Sequence, residues 1–239
     1  MIVSLIAGVI HSAIGFGFGI VAITLLPLAI DVISSHIIVS VCSVPMLLMA
    51  AWTYRKGVQR IPFAVTSVGA ILALPAGLFL FEAVSIDLLI RATGLGVLLM
   101  VASTLRTKQK SVPELQPSKK HLHSFIAGVL SGFLAGAISI AGPPIAAYAI
   151  RQNWNSNQYK AFVTQFLLLV ATCKAILLGV RDHIDVELGI EIGFASILAV
   201  LGVAIGERLS RNLQAEKLKK VVAAALIAVA LLMLLGGGA

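Results

Sequence analysis

Alternating glycines lie in the middle of the first apolar stretch of this chain, residues 5–27. Gly15, Gly17 and Gly19 leave the backbone open to a close ligand, because glycine has no side chain. If a helix begins at this point, its first N–H groups have no intrahelical partners, and its aligned peptide dipoles place about half a positive charge there. An anion is the natural ligand of such a helix end. We therefore expect Gly15, Gly17, Phe18 and Gly19 to contribute to an anion-binding site.

Consecutive prolines interrupt a second apolar stretch, residues 127–150. Pro143 and Pro144 lack N–H donors and collide with the preceding turn, so one straight helix cannot continue through them. Inside a bilayer, a broken backbone is tolerated where protein or a water-filled cavity satisfies it, which makes this break a candidate binding site. Ser139 would supply a hydroxyl and Gly142 an N–H, and Pro143 belongs to the same motif. The alternative is that the glycines and prolines of both stretches serve only close helix packing or a kink.

Four further polar side chains fall within apolar segments. Lys174 either pairs with an anion in a cavity or extends its ammonium to the nearer membrane surface. Ser43 and Gln165 align when the two halves of the chain are compared, and each either contacts the substrate or bonds to a neighbouring helix. His11 either carries a proton or is a packing residue with satisfied hydrogen bonds. Lys174, Ser43 and Gln165 complete the candidate substrate-binding residues.

The composition predicts a multi-pass, all-α membrane protein. Hydrophobic residues make up 59% of the 239 residues and charged residues only 12%, against roughly 25% charged in soluble domains. Apolar segments of about 20 residues recur along the chain, and each fits a hydrocarbon core of about 30 Å. Together the segments leave no room for a soluble domain. The eight segments are residues 2–30, 34–54, 61–81, 86–105, 124–150, 159–180, 187–207 and 218–236.

Cysteine content, charge and motifs narrow the function further. Cys42 and Cys173 fall within apolar segments, so neither a disulfide framework nor a cysteine metal site is expected. The formal net charge of +8 fits the positive-inside rule of membrane proteins and does not require a nucleic-acid partner. The sequence contains no Walker A or other nucleotide-binding loop. We expect no cofactor and no enzymatic activity.

The chain consists of two similar halves, residues 1–105 and 124–239, joined by a hydrophilic linker, residues 106–123. The motif Ile-Ala-Gly-Val opens both halves, and Gly77 in the first half corresponds to Gly206 in the second. An internal duplication explains both matches.

The distribution of basic residues predicts the topology. If all eight segments cross the membrane, Lys and Arg residues divide almost equally between its two faces. If the first and fifth segments instead enter and return on the same side, fifteen of the 18 basic residues lie on one face, as the positive-inside rule requires. Hairpin arms of about 12 residues, roughly 18 Å, would then reach the midplane. Each half becomes a re-entrant or broken hairpin segment plus three transmembrane helices, which makes the halves inverted repeats with both termini outside and the central loop cytoplasmic.

The two glycine-rich openings, IAGVIHSAIGFGFG and IAGVLSGFLAGAISIAGPP, resemble those of the sulfite exporter TauE/SafE family. A small-x-x-x-Gly-x-x-Leu pattern also recurs, at Ala73, Gly77 and Leu80 and again in the second half. The resemblance covers essentially the whole chain. It implies a transporter in the bacterial cytoplasmic (inner) membrane that moves sulfite, sulfonates or related small organic anions. The second half departs from the Gly-x-Gly-x-Gly pattern of the first, so the two hairpins need not contribute equally.

The leading hypothesis is a secondary transporter that exports a small oxyanion, such as sulfite or an organosulfonate, by alternating access around a midplane site between the hairpin tips. A negative-inside potential favours anion efflux by about 2.3 kcal/mol per charge per 100 mV. Proton coupling and the oligomeric state stay open. A passive anion channel is one alternative. An intramembrane serine hydrolase built on Ser131, Ser139 and His11 is another; it needs a base within hydrogen-bond reach, and His36 is the other histidine in a span.

Overall fold

The computed structural model of the chain describes residues 2–14, 17–106, 117–152, 154–181, 184, 186–210, 227, 231, 234 and 235. Gly15, part of the predicted linker and most of the eighth apolar segment lie outside these residues. Every regular element within the described ranges is helical. The helices are α1 (Ile2–Ile14), α2 (Phe18–Leu25), α3 (Val32–Tyr54), α4 (Arg60–Ala83), α5 (Ile86–Arg106), α6 (Pro117–Ile138), α7 (Gly142–Ile150), α8 (Ser156–Val180) and α9 (Val186–Ser210).

Five of the described stretches are long and apolar enough to cross a membrane: Val32–Gly57, Arg60–Ala83, His121–Ile138, Asn157–Val180 and Val186–Gly206. Large hydrophobic side chains on several of these helices are exposed, among them Leu72 on α4 and Ile197 on α9. In a bilayer such side chains contact lipid, so they carry no penalty. The prediction of an all-α, multi-pass membrane protein is confirmed.

Two helix pairs pack closely through glycine. α6 lies against α4, where a Cβ added to Gly132 would lie 2.6 Å from the Cα of Ala70. α1 lies against α9, where a Cβ added to Gly8 would lie 2.5 Å from the carbonyl oxygen of Ala199. Close approach of backbones at small residues is the usual way that helices associate in lipid. α1 and α6 begin the two predicted halves, so the first helix of each predicted half packs on a later helix of the other.

Both predicted interruptions are breaks between helices. The first separates α1 from α2, and Gly17 between them has a φ of 129°, which side-chain-bearing residues rarely adopt. The second separates α6 from α7, and Ser139 has a φ of 57° in the left-handed region. Left-handed backbone costs a residue other than glycine roughly 1–2 kcal/mol. Ser139 is the sole positive-φ residue other than glycine within the described ranges.

The second broken segment is longer than the predicted hairpin. α6 has 22 residues and α7 has nine, so equal arms of about 12 residues are wrong for this half. At 1.5 Å per residue α6 is about 33 Å long. The reason is that α6 begins at Pro117, within the predicted linker, and its first turns are polar, so the helix extends beyond the apolar segment. In the first half, α1 with 13 residues is close to the predicted length, whereas α2 with eight is shorter than predicted.

Candidate functional site

A cavity of about 80 Å³ lies where the two helix breaks meet. The breaks are in close contact, because a Cβ added to Gly19 would lie 3.1 Å from the carbonyl oxygen of Ser139. The volume is several times the roughly 10–15 Å³ that one water molecule needs, so a small polyatomic anion fits. The candidate binding residues in its wall are Gly17, Phe18, Gly19, Ser43, Ser139, Gly142 and Lys174, and His11 lines it as well.

The remaining candidate residues lie elsewhere. Gln165 is partly buried on α8 and does not line the cavity. Pro143 follows the wall residue Gly142 in the first turn of α7. Proline is tolerated there because N–H groups of the first turn make no intrahelical hydrogen bond. Gly15 is outside the described residues.

Lys174 is the charged group of the cavity. Its side chain is only 2% exposed, so it does not extend to the membrane surface. Its Nζ donates to the carbonyl oxygen of Ala135 at 2.7 Å and to Ser139 Oγ at 2.8 Å. Both partners are neutral, and among the described residues the ion pairs are Arg91 with Asp87 and Arg181 with Glu82. Among the described residues, therefore, no carboxylate forms an ion pair with Lys174 at the cavity wall.

Ser139 is the centre of the polar cluster at this end of the cavity. Besides the bond from Lys174, its Oγ lies 3.0 Å from His36 Nδ1 and 3.2 Å from Ser40 Oγ. The left-handed backbone at Ser139 ends α6 and directs the hydroxyl to this meeting point. Strained residues of this kind persist where the surroundings hold them and are frequent at functional sites.

His36 continues the chain of hydrogen bonds away from the cavity. The ring is fully buried on α3, and its Nε2 lies 3.2 Å from Thr93 Oγ1 on α5. A neutral imidazole accepts at one nitrogen and donates from the other. Ser139 therefore bonds to one side of the ring and Thr93 to the other, which fixes its orientation. Hydrogen bonds thus connect Lys174 to Ser139, Ser139 to His36, and His36 to Thr93.

Sequence reasoning did not select His36, Ser40 or Thr93 as binding-site residues. The spacing of His36, Ser40 and Ser43 by four and three residues places them on one face of a helix, which was a usable signal. Thr93 gave none, because its role depends on α5 lying beside α3. Among the described residues no three His, Cys, Asp or Glu side chains are grouped so that they could hold a metal ion.

The helix ends at the breaks face the same cavity. No side chain caps α2 at Gly17 or α7 at Ala141. The first intrahelical bond of α2 is donated by Val21 to the oxygen of Gly17, so the N–H groups of the three preceding residues have no partner within the helix. Phe18 and Gly19 are two of these and line the cavity. The site thus combines a buried cation, a hydroxyl and uncapped N–H groups.

Helices that break around an internal cavity with a few polar groups are a recurring feature of membrane transporters. A family model described as sulfite exporter TauE/SafE matches residues 1–233. The chain belongs to that family, so the resemblance drawn from the two glycine-rich openings is confirmed. Neither the comparison with curated proteins nor the comparison with solved structures gives a match.

Proposed function

We propose that the protein is a secondary transporter of a small oxyanion, such as sulfite or an organosulfonate, and that the cavity between the two helix breaks is its binding site. The observation that carries this proposal is Lys174, which is 2% exposed and whose hydrogen bonds to described residues go to the neutral oxygens of Ala135 and Ser139. Its Nζ also lies 5.5 Å from the ring centroid of Phe81, which is neutral as well. A buried charge is costly unless it is paired. An anionic ligand bound in the cavity would supply the opposite charge for Lys174.

The other groups of the site suit an oxyanion. Ser139 and Ser40 offer hydroxyl groups, and the N–H groups at the start of α2 are donors that an anion can accept from. The cavity wall also carries apolar side chains, among them Val39, Met46 and Leu167. A sulfonate would place its charged oxygens at the polar groups and its short carbon chain against these apolar side chains.

The packing of the helices supports transport by alternating access. α1 of the first half packs on α9 of the second, and α6 of the second packs on α4 of the first. The helices that precede the breaks, α1 and α6, are thus each packed against the opposite half. A movement of one half relative to the other would therefore displace both breaks. The negative-inside potential favours outward movement of an anion, so the proposed direction is export.

The proposal is tested by flux of radiolabelled sulfite in proteoliposomes that contain the purified protein. We expect uptake or release that saturates with sulfite concentration and exceeds that of protein-free liposomes. A parallel measurement with a two-carbon sulfonate, such as isethionate, tests the role of the apolar side chains. Protein-dependent flux of neither anion would refute the proposed function. Flux that rises linearly to very high concentration would favour the passive channel instead.

One contact favours a second candidate, the intramembrane hydrolase. His36 Nδ1 lies 3.0 Å from Ser139 Oγ, within the reach that a general base requires. The partner on the far side of His36 is the hydroxyl of Thr93, where hydrolases of this kind use a carboxylate. Labelling of the wild type by a fluorophosphonate probe, lost in Ser139→Ala, would support the hydrolase. We expect no labelling of either protein.

A further inference from the structure

A second, smaller cavity of about 20 Å³ lies beside the central one. This volume corresponds to one or two water molecules. Its wall contains polar side chains that the anion site does not use, among them Ser12, Tyr54, Lys160 and Thr164.

The two cavities follow the same faces of α3 and α8. On α3, Ser40, Ser43 and Leu47 line the central cavity, and Ala50 and Tyr54 line the small one. These five positions are separated by three or four residues throughout, so they form one continuous stripe along the helix.

On α8 one stripe of residues again lines both cavities, but here the residues of the central cavity come later in the sequence than those of the small one. Lys174, Ala171 and Leu167 line the central cavity, and Thr164 and Lys160 line the small one. The spacing is again three or four residues, which gives one stripe with a lysine at each end. The two lysines are about 21 Å apart along the helix axis at 1.5 Å per residue. The cavities therefore lie end to end between the same two helices.

His11 is the residue that the two cavities share. The residue lines both of them and is only 3% exposed. Its Nδ1 is buried and has no hydrogen-bond partner among the described residues. A buried polar atom without a partner costs roughly 1–3 kcal/mol. A ligand or water passing between the cavities would provide the missing hydrogen bond.

We propose that the small cavity is the second half of a single anion route, that His11 is the constriction between this half and the central site, and that Lys160 attracts the anion at its far end. The inference rests on the proposed function. The Lys160 ammonium lies 5.4 Å from the ring centroid of Tyr54, near the end of α3, and forms no ion pair among the described residues. The route thus carries a cation at each end and a hydrogen-bonding ring at its narrowest point.

The test uses sidedness. Radiolabelled sulfite is presented to inside-out and to right-side-out membrane vesicles that contain the full chain, and the KM of initial flux is measured from each face. In Lys160→Gln we expect the KM to rise about tenfold when sulfite is presented at the face that bears Lys160, with less than a twofold change from the opposite face. The control is Lys56→Gln, which removes an exposed lysine near the end of α3 that lines neither cavity. We expect no change from either face in this variant.

His11→Phe removes the ring nitrogens and keeps an aromatic ring at the proposed constriction. We expect this variant to insert normally and to lose sulfite flux at least tenfold, while sulfite binding to the purified protein changes less than threefold. An unchanged KM in Lys160→Gln, or an equal rise from both faces, would overturn the inference and leave the central site standing. Absence of protein-dependent flux in the wild type would overturn both proposals.

Discussion

Lys174→Met is the most direct test of the anion site, because it removes the charge and keeps an unbranched apolar side chain of similar length. An anion that contacts Lys174 as closely as Ser139 does, at 2.8 Å, has its charge about 4 Å from the ammonium. At an effective dielectric constant of about 20 this attraction is about 4 kcal/mol. Truncation of one member of a buried charge pair costs about 2–5 kcal/mol. A loss of 2–4 kcal/mol corresponds to an increase of about 30- to 700-fold in Kd.

The same substitution should leave the fold intact. The oxygen of Ala135 also accepts from the backbone N–H of Ser139 at 3.1 Å, and Ser139 Oγ keeps its contact with His36. No polar partner of Lys174 is therefore left without a hydrogen bond. Since an unbalanced buried charge is itself destabilising, replacement by an apolar side chain is neutral or stabilising. We expect the melting temperature of the ligand-free protein to stay the same or to rise.

The assay is a titration of purified protein with sulfite, followed by thermal shift, together with flux in proteoliposomes. Arg91→Met is the control, since it removes the same charge from an exposed ion pair with Asp87 and does not line the cavity. We expect its sulfite Kd and flux to stay within twofold of the wild type. If Lys174→Met bound sulfite within threefold of the wild type, the assignment of the anion site would be refuted.

Substitutions at three further positions, Ser139, Gly17 and Thr93, test the backbone and the polar cluster. Ser139→Gly and Ser139→Ala both remove the hydroxyl, so both should lose about tenfold in sulfite flux, but the glycine variant should be more stable by about 1 kcal/mol because the φ of 57° favours glycine; equal melting temperatures would contradict this. Gly17→Ala should lower the melting temperature because alanine is strained at a φ of 129°, even though nothing lies within 4 Å of the added Cβ. The control is Gly179→Ala, which has equally open surroundings inside α8 and should raise the melting temperature slightly. Thr93→Val leaves His36 Nε2 without its partner and should cost about 1–3 kcal/mol in thermal unfolding; an unchanged melting temperature would show that this contact contributes nothing.

The sequence by itself determined the class of protein and the position of both breaks. Long apolar segments allow only helices in a bilayer, because every backbone group must find its hydrogen bond within the segment. Gly17 and the pair Pro143–Pro144 locate the interruptions, since helical backbone is unfavourable at the first and sterically blocked at the second. Seven of the ten candidate binding residues line the cavity, because each was selected for its place in a break or its polarity within a span.

Only the tertiary structure decided how the polar groups combine. The sequence left Lys174 free to extend outward or inward, and it gave no reason to connect His36 with Thr93. The hydrogen bonds of the cluster join residues that are 35, 57 and 103 positions apart in the chain. Periodicity determines which residues share one face of a helix, but the choice of which faces meet depends on how all the helices pack against one another. The chain alone therefore indicated most of the candidate binding residues, and the packing of the bundle brought them together at one cavity beside His36, Ser40 and Thr93.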